Sequence, residues 1–158
     1  MTYVNDWNRP AAYAKLSKGT GGTMYKHILI PVALDHEHTP QEALSVAQKL
    51  LSEGGKLTAL HVMEPLPGFA AQYLPEQHTE TRAANLMERM KAELGDGTKV
   101  ATEVIDGHAG RAIVEYADDK DVDLIIVASH RPGMQDYFLG STAARVVRHA
   151  QCCVHVLR

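Results

Sequence analysis

The chain alternates between short apolar runs and longer segments whose apolar residues recur at helical spacing. The runs are rich in β-branched residues, as expected of strands that are buried on both faces. They cover residues 27–33, 57–63, 100–105, 122–128 and 154–157, and a helical segment follows each of the first four. Because crossovers between parallel strands are right-handed, this order predicts an α/β fold, a parallel sheet with helices on both faces.

The first helical segment carries clear start and stop signals. Thr39 is placed as its N-cap, Pro40 as its first helical residue, and Glu42 as the partner in a capping box. Gly54 and Gly55 are expected to end it. Its predicted inward stripe is Leu44, Ala47, Leu50 and Leu51.

The later helices are predicted from the same spacing. The second covers residues 79–94, the third follows residues 107–110, and the fourth begins at Ser141. The predicted inward residues are Ala83, Leu86, Met87, Met90 and Leu94 in the second helix, and Ile113, Val114 and Ala117 in the third.

Residues 129–142 form a long connection between a buried strand and the fourth helix. In an open parallel sheet such a connection lies outside the carboxyl end of its strand, where ligands bind. The connection ends in Gly140, Ser141 and Thr142. A helix N-terminus offers unpaired N–H groups and the positive end of a dipole, so this start predicts a phosphate site. The alternative is an ordinary helix start, since Gly and Ser cap many helices that bind nothing.

Composition narrows the class of protein. The 158 residues suit one domain, and a 45% hydrophobic share is enough for a core. A formal charge of −3 without a basic run gives no reason to expect nucleic acid. We find no apolar window long enough for a membrane span and no secretory signal. The only cysteines, Cys152 and Cys153, are adjacent and cannot join distant segments, so we expect a soluble, cytoplasmic protein.

Residues 1–23 differ from the rest of the chain. Residues 17–23 resemble a flexible linker, and Met24 directly precedes the first strand. We therefore expect an amino-terminal extension over residues 1–23 and a domain over residues 24–158. The alternative is that Trp7 and Tyr13 dock on the domain or on a partner.

The sequence gives little support for a metal site or a catalytic site. Residues 35–38 read Asp-His-Glu-His, which is more often a polar loop than a zinc site. Cys153 and His155 should face one side of their strand and Cys152 the other, so the three should not converge on a metal. There is no Gly-x-Ser-x-Gly elbow, P-loop or dinucleotide fingerprint. We expect no catalytic constellation and no dedicated metal site.

Four stretches, in order and with compatible spacing, resemble the universal stress protein family, in particular its small single-domain bacterial type with a Ser-His-Arg-Pro loop. They are residues 25–32, 60–62, 128–132 and 139–152, and the resemblance covers nearly all of residues 24–158. It implies five strands in the order 3-2-1-4-5. A crevice would then lie between the carboxyl ends of strands one and four.

The resemblance also implies ATP, ADP or AMP in that crevice, with or without Mg²⁺. The Val62 backbone would lie beside adenine, the end of strand one beside the nucleoside, and Gly140 and Ser141 at the phosphates. Carried over by position, the candidate binding residues are Pro31, Val32, Ala33, Asp35, Val62, Ala128, Ser129, His130, Arg131, Gly140, Ser141 and Thr142.

Two departures from the nucleotide-binding pattern leave a second hypothesis open. Ala128 and Arg131 stand near the two glycines that such relatives usually carry, in a loop that is one residue shorter. Ala33 stands where an Asp is common, and Asp35 follows two places later. A side chain at the glycine positions crowds a close approach of the backbone to the ligand, whereas Arg131 would replace a lost amide contact by a charge-assisted one to phosphate.

The preferred hypothesis is a cytoplasmic stress-response regulator that binds an adenine nucleotide without efficient turnover, so that any ATPase activity is slow. The alternative is a homodimeric interaction module that binds no nucleotide. Residues 154–157 are predicted at a sheet edge, and the resemblance implies a homodimer through that strand. Further protein partners are unknown. An adenylyl-transfer enzyme is a third class, but its His-x-Gly-His and Ser-Gly-Gly-x-Asp motifs are absent.

Overall fold

A computed structural model describes residues 25–34, 40–65, 78–95, 99–129 and 139–158, with only the backbone for 78–80. Strands and helices alternate along these residues, as predicted. In chain order they are β1 (Tyr25–Pro31), α1 (Gln41–Leu50), β2 (Leu51–Met63), α2 (His78–Leu94), β3 (Ala101–Asp106), α3 (Ala109–Asp119), β4 (Leu124–Ala128), α4 (Ser141–His149) and β5 (Cys153–Leu157).

The five strands form one parallel sheet in the order β3-β2-β1-β4-β5. The predicted fold class and strand order are confirmed. The order places β1 at the centre and β5 at one edge. Since β1 connects toward β2 and β4 connects toward β5, the chain changes direction across the sheet between β1 and β4.

Two core layers cover the sheet. Ile28 and Ile30 point into the layer beneath α1 and α2, and Leu29 points into the layer beneath α3 and α4. All three are at most 1% exposed. Burial of such a side chain stabilises the fold by roughly 1.5–3 kcal/mol. The β-branched run therefore fixes the central strand.

The end of α1 differs from the prediction. The helix ends at Leu50, and Leu51 is already extended (φ −71°, ψ 131°) and pairs with Tyr25 of β1. The prediction that Leu51 belongs to the helix and that Gly54 and Gly55 end it was wrong. Pairing with β1 extends the strand backward, and Gly54 takes a positive φ of 72° inside the resulting irregularity.

The start of α1 agrees in part. Pro40 has helical angles, and its carbonyl accepts a hydrogen bond from the Leu44 N–H at 2.9 Å. Thr39, the predicted cap, lies outside the described residues. Apart from the start of β2, the remaining predicted bounds are confirmed to within two residues. No helix of the described segments is long and apolar enough to cross a membrane.

A polar cluster ties together the amino ends of the central strands. The Asp123 carboxylate accepts the backbone N–H groups of Lys26 and His27 at 2.8 and 3.0 Å. The His27 ring lies 3.0 Å from both the Lys120 carbonyl and the Thr58 hydroxyl. Because a carbonyl only accepts, Nδ1 carries the proton, and Nε2 accepts from Thr58. Burial lowers the pKa of His27, which favours this neutral form.

Candidate functional site

The two strands at the change of direction separate before their carboxyl ends. The ladder between β1 and β4 ends at the pair Leu29–Ile125, whereas the ladder between β4 and β5 continues to Ala128–Leu157. Backbone groups of β1 and β4 beyond Leu29 and Ile125 are therefore not paired with each other.

After the ends of β1 and β4, each backbone forms its next hydrogen bond with the strand on its outer side. The Val32 N–H donates to the Leu60 carbonyl of β2 at 2.8 Å. The Ser129 N–H donates to the Leu157 carbonyl of β5, also at 2.8 Å. The two backbones thus diverge and leave a crevice at the point where open α/β sheets bind ligands.

One hydrogen bond holds α4 at this crevice. The carbonyl of Ser129 accepts the Gly140 N–H at 2.6 Å, although ten residues separate them. Ser129 is buried, so this contact is shielded from water. It fixes the first turn of α4 directly beside the end of β4.

The first turn of α4 presents hydrogen-bond donors. The Gly140 carbonyl accepts the first intrahelical bond, from Ala144 at 2.8 Å. The N–H groups of Ser141, Thr142 and Ala143 come before it and have no intrahelical acceptor. Gly140 is the N-cap and has no side chain to cap them. Three N–H groups at the positive end of a helix dipole suit a phosphate or another anion.

The opposite side of the crevice is held by side chains from two other elements. Nδ1 of His61 donates to the Val32 carbonyl at 2.8 Å. The Arg89 guanidinium of α2 donates to the Leu34 carbonyl at 2.9 Å. Between these anchored residues Ala33 is exposed, so the segment after β1 is fixed and accessible at once.

The family model described as the universal stress protein family matches residues 24–158. The chain belongs to this family. Universal stress protein G of Salmonella typhimurium is 30% identical over 145 residues, covering 85% of this chain and 100% of that protein. The solved universal stress protein UspA from Lactobacillus plantarum is 27% identical, covers 85% of this chain and 98% of its own, and superimposes with a TM-score of 0.66. A universal stress protein in complex with cAMP shares the fold at 24% identity and a TM-score of 0.53, with 85% and 97% coverage.

Several of the predicted binding residues of this universal stress protein lie together. Ala128 and Ser129 end β4 beside Gly140, Ser141 and Thr142. Ala128 and Ser141 are exposed, and Gly140 and Thr142 are half-buried.

The other predicted residues are farther apart or not described. Pro31, Val32 and Ala33 continue β1 on the other side of the crevice, with Val32 buried. Val62 lies on β2, one strand farther out, and pairs with Ile105 of β3. Three predicted residues, Asp35, His130 and Arg131, lie outside the described residues, as does the whole motif at 35–38.

The roles of His61 and Arg89 were not predicted from the sequence. His61 is a polar residue inside an apolar strand, which was an available signal. Arg89 gave none, because one more cation on the polar side of a helix is ordinary. Both act on backbone carbonyls that are distant in sequence, 29 residues away for His61 and 55 for Arg89.

The cysteines of this universal stress protein lie in different core layers. Cys153 packs on the layer beneath α1 and α2, and Cys152 on the layer beneath α3 and α4. The prediction that they face opposite sides is confirmed. Burial raises the pKa of the Cys152 thiol to about 11, so at neutral pH it is a protonated, unreactive group. Among the described side chains no group of three or more His, Cys, Asp or Glu residues is arranged to hold a metal.

Proposed function

We propose that this universal stress protein binds ATP, ADP or AMP in the crevice between β1 and β4 and acts as a cytoplasmic stress-response regulator. The observation that carries the proposal is the hydrogen bond from Gly140 to the Ser129 carbonyl. It holds the donors of α4 at the mouth of the crevice before any ligand arrives. A site that is fixed in advance loses little entropy on binding.

The phosphates would be bound by the N–H groups of Ser141, Thr142 and Ala143. The ribose would lie against residues 31–33, and adenine would reach the backbone near Val62. The fold neighbour in complex with cAMP supports the idea that this architecture accommodates an adenine nucleotide. Any Mg²⁺ would be held mainly through the phosphates.

Slow turnover is part of the proposal. The described side chains along the crevice are the apolar Val32, Ala33 and Ala128 and the hydroxyl-bearing Ser129, Ser141 and Thr142, none of which is a base at neutral pH. His61 uses Nδ1 to hold the Val32 carbonyl. Hydrolysis needs a group that orients and deprotonates water, and no pair of described side chains there has the form of a nucleophile and its base.

The variant Gly140→Val tests the site. Gly140 has φ −55° and ψ 154°, angles open to any residue, so the fold should be retained. The added side chain would stand beside the phosphate donors. We expect ATP, ADP and AMP, titrated calorimetrically with and without Mg²⁺, to bind at least about tenfold more weakly, a change of about 1.4 kcal/mol. Gln151→Val, an exposed substitution just beyond the other end of α4, is the matched control. Equal affinities for both variants would refute the site.

A second candidate function, assembly of two copies, is supported by the apolar residues of the edge strand β5. Strand β5 lies at the sheet edge with half-buried Val154, Val156 and Leu157, whereas the core residues of neighbouring β4 are fully buried. An apolar edge of this kind is usually paired or covered. We propose that two copies pair through β5. If no nucleotide binds, the protein is a homodimeric interaction module.

A further inference from the structure

A groove of about 300 Å³ opens at the amino ends of β1, β4 and β5, at the end of the sheet opposite the crevice. It is lined by Val46, Lys49 and Leu50 of α1, by Leu124 of β4, and by Cys153 and His155 of β5. Ligand pockets span roughly 300–1,000 Å³, so this groove suits one or two side chains better than a large ligand.

The groove exists because α1 does not extend over the edge strand. Residues of β4 beneath the helices are fully buried, but Cys153 at the start of β5 is only half-buried and lines the groove. Apolar surface at such a position is stabilised by a cover.

The amino-terminal segment, residues 1–23, is rich in aromatic residues, which suits it to cover an apolar groove. Three of the nine aromatic residues of the chain lie in it, Tyr3, Trp7 and Tyr13. Segments that stay solvated are poor in aromatic residues. These side chains therefore gain from contact with apolar surface.

The segment starts from the groove itself. Tyr25, the first described residue, lines the groove, so the preceding chain leaves from its rim. Trp7 lies 18 positions before Tyr25, a reach of up to roughly 60 Å. A short flexible tether gives a local concentration on the order of millimolar, at which even a weak contact is occupied.

Net charge favours association of the segment with the domain as a whole, although Lys49, which lines the groove, is itself a cation. The segment carries Arg9, Lys15 and Lys18 against Asp6, a formal charge of +2. Because the whole chain carries −3, the remaining residues carry −5. The segment and the domain therefore attract each other.

We propose that the amino-terminal segment docks on its own domain, with the Trp7 indole in this groove. The docked segment covers Cys153 and the amino end of β5. The cover leaves the crevice at the carboxyl ends open, so docking and nucleotide binding are independent.

Fluorescence of the full chain tests the docking, because Trp7 is the only tryptophan. We expect its emission to be blue-shifted, and less quenched by acrylamide, than that of a synthetic peptide of residues 1–22. Val46→Gln places an amide in the groove and should return the emission to that of the peptide. Ser45→Gln changes the exposed neighbouring residue and should not. Emission identical to the peptide's, or the same response to both variants, would overturn the proposal.

Thiol reactivity gives a second readout. In a Cys152→Ser background, Trp7→Ala should raise the alkylation rate of Cys153 about tenfold if docking leaves about a tenth of the molecules open. Asn8→Ala is the control. An unchanged rate would contradict the proposal.

A second copy of the chain is the competing occupant. A blue shift that disappears on dilution together with the dimer, measured by light scattering, would assign the groove to that copy.

Discussion

His27 is a buried titratable group whose role is structural. Its ring joins the start of β1 to Lys120, before β4, and to Thr58 of β2. Burial is the largest cause of its lowered pKa, and the nearby Lys56 charge lowers it further. The Lys120 carbonyl and the carboxylates of Asp123 and Glu103 act in the opposite direction.

This arrangement predicts how stability depends on pH. The unfolded chain takes up a proton near the ordinary pKa of 6.5, whereas folded His27 takes it up only at lower pH. The unfolded state therefore binds more protons, and its free energy falls relative to the folded state. The His27 contribution is fully present above about pH 6.5 and is lost as the pH falls toward the lowered pKa.

Urea unfolding at pH 7.5, 6.5 and 5.5 measures this dependence. We expect His27→Gln to reduce the fall in the free energy of unfolding between pH 6.5 and 5.5. His155→Gln, at an exposed position, should keep the wild-type dependence. A His27→Gln protein with the wild-type dependence would show that another group is responsible.

Among the helices, α3 and α4 pack unusually closely. A Cβ added at Gly110 would lie 2.9 Å from Cδ and 3.0 Å from Cβ of Arg145. A glycine here lets α3 approach α4, which carries the proposed phosphate donors.

Gly110→Ala should therefore destabilise the protein by about 1–3 kcal/mol through overpacking. Because α4 must shift to make room, we also expect weaker nucleotide binding. Urea unfolding and calorimetric titration measure the two effects. Combination with Arg145→Ala, which removes the Cγ and Cδ atoms, should recover part of the lost stability. Purely additive losses would mean that the two helices do not interact here.

Strand β5 allows a sharp test of pairing between copies. The N–H of Cys153 and the carbonyl of Leu157 face β4, so the N–H groups of Val154 and Val156 point to the free edge. Val156→Pro removes one edge donor and leaves the ladder to β4 intact.

We expect Val156→Pro to weaken the dimer at least about tenfold, or about 1.4 kcal/mol, as measured by light scattering over a dilution series. Val156→Ala loses the same side chain but keeps the N–H, and should remain dimeric. A wild-type monomer at micromolar concentration, or equal dimerisation of both variants, would contradict pairing through β5.

Elements were predictable where the signal is local. Each strand run and the start of α4 at Ser141 follow from apolar spacing and turn residues. The end of α1 does not, because Leu51 is extended by pairing with Tyr25, 26 residues earlier. His61 and Arg89 escaped prediction for the same reason, since their acceptors are carbonyls on other elements.

In the molecule as a whole, the two ends of the sheet differ in structure. At the amino ends of the strands, hydrogen bonds of Asp123 and His27 join the start of β1 to the segment before β4. At the carboxyl ends, β1 and β4 diverge and the donors of α4 stand at the opening. The phosphate site at the start of α4 stays a prediction, made from the buried run 122–128, the connection 129–142 and the helical spacing that follows. The sheet order came from the family resemblance, because spacing fixes the layers but not which strands are neighbours.

The most direct test of nucleotide binding is a thermal melt of the full chain with ATP, ADP and AMP, each with and without Mg²⁺. A ligand at one hundred times its Kd should stabilise the protein by about 2.7 kcal/mol, which for a chain of this size raises Tm by roughly 5–10 °C. We predict this rise for at least one nucleotide in the wild type and a rise of half that size or less in Gly140→Val, because a tenfold weaker ligand at the same concentration stabilises by about 1.4 kcal/mol. No rise with any of the three would contradict nucleotide binding and leave the homodimeric interaction module.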